Sequence, residues 1–176
     1  MPFTPFHMGP GAAVKAVAGR YFSLTVFGFS QVMIDLEPLI RLFRGDSVLH
    51  GMSHTYLGAL VIGAVALLAG KPLCEWWLRG WNRAVDIKYL RWLMVNPNIS
   101  WLAASLGAFI GTLSHVLLDS VMHADMHPFA PFSYANQMLH LIPAGQIYLL
   151  CTILGVAGFI ALAVVALWHK HSFDTE

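Results

Sequence analysis

The chain has 176 residues, of which 57% are hydrophobic and only 11% charged, and its formal net charge is +1. Soluble domains carry about 25% charged residues, so there is too little charge here to coat a water-facing globule. The apolar residues also fall in long unbroken runs, with a mean hydropathy of +0.65, as in a chain solvated by lipid. No basic run carries interleaved aromatics that could track a phosphate backbone, which excludes nucleic acid as a partner.

Residues 1–11 lack the charged start and small-residue cleavage site of a signal peptide, so the N-terminus is read as mature. Residues 8–34 are apolar but interrupted by Lys15 and Arg20, with Gly19 offering a break. One continuous helix would put His7 and Asp35 on opposite sides of a membrane, whereas a hairpin breaking near Gly19 puts them on the same side; the hairpin is preferred. Residues 55–69 are apolar but short for a span, so the ends of that helix should lie near the interfaces.

The only long polar connection, residues 71–98, sets Lys71, Arg79, Arg83, Lys88 and Arg91 among Trp76, Trp77, Trp81, Tyr89 and Trp92. Aromatics with cations mark a segment in the headgroup region, so it is read as an interfacial amphipathic helix, cytoplasmic by the positive-inside rule. Residues 99–121 form a further span, carrying His115 and Asp119 in its last turns. Residues 147–168 have no formal charge and form the clearest span, long enough at about 1.5 Å per residue to cross a hydrocarbon core of roughly 30 Å. The expected fold is all-α: a polytopic transmembrane helical bundle in one membrane-embedded domain, residues 1–176, with about four membrane helices plus the interfacial helix. Threading the spans puts Asp35, Glu37, His54, Asp119, His123, His127 and His140 at the outer face.

Asp35 and Glu37 are two carboxylates separated by a leucine at the end of an apolar run, and could equally be a solvated loop. His50 and His54 stand four apart, on one face of any helix beginning there, close enough to share metals. His115 and Asp119 repeat that spacing inside an apolar helix. An ion would satisfy both there, offsetting the carboxylate and fixing the imidazole's tautomer; a plain His–Asp hydrogen bond between helices is the competing reading. His123 and His127 are weaker candidates, since histidines after a span often only titrate in the headgroups. Cys74 and Cys151 are isolated among apolar or aromatic neighbours and read as packing residues. Imidazoles and carboxylates in similar numbers suit borderline divalent ions: zinc, manganese or iron. There are more ligands than one ion needs, which favours two or three ions around a water.

These motifs give the chain its resemblance to a known family. Pro5-Phe6-His7, Asp35-Leu36-Glu37-Pro38, His50-Gly51-Met52-Ser53-His54, Gly111-Thr112-Leu113-Ser114-His115-Val116-Leu117-Leu118-Asp119 and Pro128-Phe129-Ala130-Pro131-Phe132-Ser133 occur in the order found in the bacterial LexA-induced inner-membrane metal-dependent hydrolases, a family similar to the zinc phospholipase C and P1-nuclease group. The resemblance implies that His7, Asp35, Glu37, His50, His54, His115 and Asp119 are the metal-site residues, and that the protein sits in a bacterial inner membrane. The chain departs from the pattern in Glu37, where an aspartate is more common, in Gly51-Met52, where a basic residue is common after the first histidine, and in the extra His123 and His127.

The function expected is hydrolysis of a phosphoester or other ester of a lipid-borne substrate by metal-activated water, with His115 or Glu37 managing the proton. Membrane lipids are the expected surroundings. The alternatives are an ion-binding or transport protein, which would distribute polar ligands through the bilayer's depth, and a non-catalytic structural or stress-response membrane protein whose polar motifs only hold helices together. No glycine-rich phosphate loop and no Gly-x-Ser-x-Gly elbow is present, which argues against covalent catalysis.

Overall fold

The computed structural model describes residues 6–87 and 90–173, and among them all regular structure is helical. Pro5 of the first motif and Lys88 and Tyr89 of the polar connection lie outside the described residues.

The N-terminal quarter is a helical hairpin. Helix α1 (Met8–Ala18) stops at Gly19, whose φ of +52° lies in the region that favours glycine, and Lys15 Nζ donates to the carbonyls of Gly19 and Phe22, both at 2.9 Å, to seal the turn. Helix α2 (Leu24–Arg44) restarts from an N-cap on Ser23, whose side chain accepts from the Val26 amide, and ends at Gly45, where φ is +74°. His7 and Asp35 therefore reach the same end of the bundle.

After a loop and a short 3-10 turn (Met52–His54), Thr55 caps helix α3 (Tyr56–Val65), its hydroxyl accepting from the Gly58 amide at 2.9 Å. A π-helical turn (Ala66–Gly70) then leads without interruption into helix α4 (Lys71–Ala84). The amphipathic segment thus begins as a continuation of the same helical rod, Tyr56–Ala84, rather than as a separate interfacial helix. The composition shift at Lys71 had suggested a boundary, but Pro72 brings no N–H, and a π turn immediately before it lets the helix run on. Beyond Ala84 the chain folds back along α4: Asn82 bonds the Val95 backbone at both its amide and its carbonyl, and the Glu75 carboxylate accepts from the Ile99 amide.

Helix α5 (Trp101–Met122), capped by Ser100, packs lengthwise on α2 through small residues. A Cβ on Gly107 would come 2.5 Å from the Ser23 carbonyl oxygen, and one on Gly111 would come 2.0 Å from Ser30 Oγ, so the seam closes only because neither has a side chain. Helix α6 (Ala144–Phe173) packs on α1 in the same way: a Cβ on Gly9 would lie 1.9 Å from the Cys151 carbonyl oxygen. Cys74 and Cys151 are both free and buried.

Among the described residues three helical stretches are long and apolar enough to cross a membrane: Tyr56–Ala84, Trp101–Met122 and Ala144–Trp168. This is one fewer than the sequence suggests. Helix α1 has only 11 residues, and α2, with 21, concentrates Asp35, Glu37, Arg41 and Arg44 in its second half. The hairpin lies against α5 and α6 and carries its polar end to where α3 begins and α5 finishes.

Candidate metal centre

The last turns of α5 set the register. His115 and Asp119 are one helical turn apart, and His123, the residue that ends the helix, continues the same face. Asp119 is buried and imidazoles surround it. Its Oδ2 lies 3.1 Å from His115 Nε2, 3.5 Å from His54 Nε2 and 3.9 Å from His50 Nε2, while its Oδ1 lies 3.4 Å from His7 Nε2 and 3.8 Å from His123 Nε2. Asp35 enters from α2, its Oδ1 3.2 Å from His115 Nε2 and 3.7 Å from His54 Nε2. His7, His50, His54, His115 and Asp119 are all at most 6% exposed.

Three of the rings are aimed from behind. His115 Nδ1 is 2.5 Å from Gln31 Oε1, and the Gln31 amide nitrogen donates to the Gly111 carbonyl at 3.0 Å, so the Gln31 oxygen is left to accept from the ring. His50 Nδ1 is 2.8 Å from Asp125 Oδ1, and His54 Nδ1 is 2.8 Å from Ser53 Oγ. A ring that donates from Nδ1 carries its lone pair on Nε2, and these Nε2 atoms face the centre.

For His50 the charge agrees with that tautomer, whereas His54 is raised: burial lowers it, but the neighbouring Asp119 and Asp35 outweigh burial. Burial alone would raise the Asp125 carboxyl, but hydrogen bonds from the His50 ring and from the His50 and Leu49 amides outweigh it and hold it at about 2. Burial, followed by the neighbouring His54, lowers His50, and burial followed by His115 lowers His7 to about 4. A neutral His50 donating to an ionised Asp125 is the arrangement a metal-ligating imidazole requires.

The donor set fits a divalent cation. The ligand atoms of Asp35, His54, His115 and Asp119 all lie within 4.8 Å of one another. Bonds of about 2.0–2.2 Å in a tetrahedron put ligands about 3.3–3.6 Å apart, and the four nitrogen–oxygen separations measured here run from 3.1 to 3.7 Å. His7 Nδ1, His54 Nε2 and His115 Nε2 are buried and have no hydrogen-bond partner. The orphaned Nε2 atoms of His54 and His115 beside a buried carboxylate are costly in an apolar interior, and a cation among them satisfies both kinds of group, while His7 turns its Nε2 rather than its orphaned Nδ1 to Asp119. The wall is incomplete at two places, since the side chains of Asp35 and His123 are 28% and 21% exposed.

Of the residues singled out in the sequence, the structure brings together His7, Asp35, His50, His54, His115 and Asp119, and adds His123. Glu37 stands apart. Residues two apart on a helix point roughly 200° apart, so with Asp35 facing α5, Glu37 turns to the 45–55 loop. There its Oε1 receives Arg41 Nη2 at 2.8 Å and Nε at 2.9 Å, and its Oε2 receives the Ser53 amide at 2.7 Å. Those bonds commit Glu37 to holding Ser53, which in turn touches His54, and leave it no place as a ligand or proton carrier. His115, the other residue expected to manage the proton, has Nδ1 on Gln31 and Nε2 between the two aspartates. His127 bonds the Tyr134 carbonyl at 2.7 Å, and His140 is exposed with its amide on the Val121 carbonyl.

Gln31, Ser53 and Asp125 were not anticipated. A lone amide in an apolar run, four residues ahead of Asp35, was the available signal for Gln31, and an acid two residues past His123 was the signal for Asp125. Comparisons with protein-family models, with curated proteins and with solved structures return no match.

Proposed function

We propose that this chain is a membrane-embedded, metal-dependent hydrolase that uses metal-activated water on a phosphoester or other ester of a lipid-borne substrate. The observation that carries the reading is a buried Asp35–His54–His115–Asp119 group, spaced for one cation and reachable from one side. Four protein ligands in a tetrahedron are the structural arrangement, so the catalytic reading has the cation take a fifth, water-filled position at the exposed Asp35 edge, as zinc does when it expands to five-coordinate. A cation held there supplies Lewis acidity and lowers the pKa of a bound water toward neutrality. Zinc suits the nitrogen and oxygen donors, and manganese or iron would also be accepted.

The chain's own groups do the rest. Gln31 and Ser53 fix the rings of His115 and His54, Glu37 and Arg41 fix Ser53, and Asp35, at the exposed edge, is the carboxylate nearest an incoming proton. The depth of the centre supports a lipid-borne substrate. His54 lies two residues before the apolar rod that starts at Tyr56, and Asp119 lies three residues before the end of α5, so both mark the edge of the apolar layer. Lys71, Arg79 and Arg83 lie along the far part of that rod, which by the positive-inside rule supports a centre on the outer face of a bacterial inner membrane. The ordered motifs shared with the LexA-induced hydrolases support the reaction class.

One observation favours a second reading, that of a non-catalytic structural protein: the centre joins α1, α2, α5 and the 45–55 loop and could serve to clamp them. A transport role fits less well, because the ligands gather at one end of the bundle. Elemental analysis of the protein in detergent, followed by phosphodiester and phospholipid hydrolysis assays, separates these. The hydrolase reading expects stoichiometric zinc and turnover that disappears in His54→Ala and on chelation and returns with zinc. Metal without turnover on any ester favours the clamp, and protein without stoichiometric metal ends the hydrolase reading and leaves the His–carboxylate contacts to hold the helices by themselves.

A further inference from the structure

Helix α2 has a second face that the metal centre does not use. Met33, Leu36, Ile40 and Arg44 recur at three- and four-residue spacing and so share one side of the helix. Together with Ile62 of α3 they line an open groove of about 490 Å³, which Ser53 and the Glu37–Arg41 pair also border. Asp35 turns to α5 and Glu37 to this groove, so the groove lies on the far side of α2 from the open edge of the centre. Leu36 and Ile40 are 40% and 55% exposed there, apolar surface that hydrocarbon covers better than water.

The groove is graded from charged to apolar along the direction in which a lipid lies. Of its charged side chains, Glu37 and Arg41 neutralise each other through contacts of 2.8 and 2.9 Å. Arg44 and Asp46 are different: among the described residues neither side chain has a hydrogen bond or ion pair. Gly45, at φ +74°, ends α2 and turns the chain back, and the Asp46 amide donates to the Arg41 carbonyl at 3.0 Å, which seats Asp46 against the last turn of the helix. An unpaired cation and an unpaired anion therefore stand at one end of the groove. Roughly 16 Å of helix separates that end from Met33, and Ile62 lies well inside the rod whose start at Tyr56 marks the edge of the apolar layer.

We propose that this groove binds one ethanolamine phospholipid as a resident partner, its phosphate on Arg44, its ammonium on Asp46 and an acyl chain laid along Ile40, Leu36 and Met33 toward Ile62. The charge pattern selects the headgroup. A purely anionic lipid satisfies Arg44 and leaves its charge beside Asp46, whereas a phosphate linked to an ammonium meets both side chains with charge-assisted hydrogen bonds. A choline headgroup has no N–H to give the Asp46 carboxylate, and among the described residues no aromatic ring lines the groove to hold a quaternary ammonium by its face. The site needs the chain to lie in a membrane and needs no ion at the metal centre, so it and the hydrolase reading stand or fall separately.

Lipid retention tests it without any assay of turnover. The protein is delipidated by detergent exchange, incubated with equimolar dioleoyl phosphatidylethanolamine, phosphatidylcholine and phosphatidylglycerol, freed of excess and read by native mass spectrometry. One phosphatidylethanolamine per chain is expected, retained over each of the other two by about tenfold or more, the worth of one hydrogen bond to a charged group. Asp46→Asn should erase that preference and Arg44→Gln should abolish retention. Arg44 is exposed and Asp46 lies just beyond the helix, and unchanged helical circular dichroism would show that both variants fold. Wild-type protein that retains the three lipids equally, prefers phosphatidylglycerol or retains none overturns the site, as does an Asp46→Asn protein with its preference intact. Zinc content measured on the same samples should be the same in wild type and both variants, and a lack of zinc would count against the metal centre alone.

Discussion

Asp125 shows how much of the centre depends on residues that touch no ligand position. Its carboxylate takes the His50 ring and two backbone amides, so it fixes both the tautomer of His50 and the path of the chain into the His50–His54 turn. Replacing such an orienting carboxylate typically costs 10–100-fold in metal affinity. Asp125→Asn should therefore weaken metal binding by roughly that factor in a competition titration against a chelator, while the helical content stays the same; unchanged affinity would mean that His50 is aimed by something else. Gly51 offers a second test at the same scale, because a Cβ there would lie 1.9 Å from Glu37 Oε1 and 2.5 Å from Arg41 Nη2. Gly51→Ala must displace the Glu37 latch on Ser53 and should lower metal affinity about as much as Glu37→Ala does, though neither residue reaches the centre. These supports explain what could be read in advance. Imidazoles and carboxylates inside apolar runs are conspicuous because hydrocarbon penalises them, and that made His54, His115 and Asp119 visible. Gln31 and Asp125 act on rings 84 and 75 residues away, respectively, and nothing local announces such pairings. Glu37 looked like the twin of Asp35 until the helix was known to run through both, which turns them to different sides.

At the scale of elements, His7 is delivered by packing. It immediately precedes α1, and α1 lies against α6 through Gly9, Ala12, Gly155 and Gly158, where a Cβ on Gly158 would come within 2.5 Å of the Ala12 backbone. Small residues let two apolar helices approach this closely, and van der Waals contact then supplies the association that lipid does not. Gly9→Leu should push α1 away from α6 and carry His7 out of reach of Asp119. The expected result in a metal titration is weaker binding, matching His7→Ala, although Gly9 has no ligand atom. A variant that binds metal as tightly as the wild type would show that His7 is positioned independently of α1. The turn behind this delivery was legible, because Gly19 between two charged interruptions admits the backbone a hairpin needs. The continuity of α3 with α4 was not. It depends on a π turn that carries the helix past Pro72, and composition changes at that point as it would at a true boundary.

At the scale of the bundle, the centre is where, among the described residues, the N-terminal hairpin, the 45–55 loop and the end of α5 meet through polar groups, with apolar seams along the rest of the bundle. Without a cation, the buried carboxylate and the facing imidazoles must share protons in a low-dielectric site, a poor substitute that leaves ring nitrogens unbonded. A ligand that binds only the folded state stabilises it by RT ln(1 + [L]/Kd), which is roughly 4 kcal/mol at a thousandfold excess over Kd. For a domain of about 150–250 residues this corresponds to a rise in Tm of roughly 8–16 °C. Chelation should lower the Tm of the detergent-solubilised protein by about that much, zinc should restore it, and His54→Ala should have a low Tm that responds weakly to either. The comparison separates a site that holds the bundle together from one that is merely tolerated by it. If stripped and loaded wild-type protein unfold at the same temperature, the polar groups are satisfied without an ion, and the convergence of α1, α2, α5 and the loop has to be explained by packing alone.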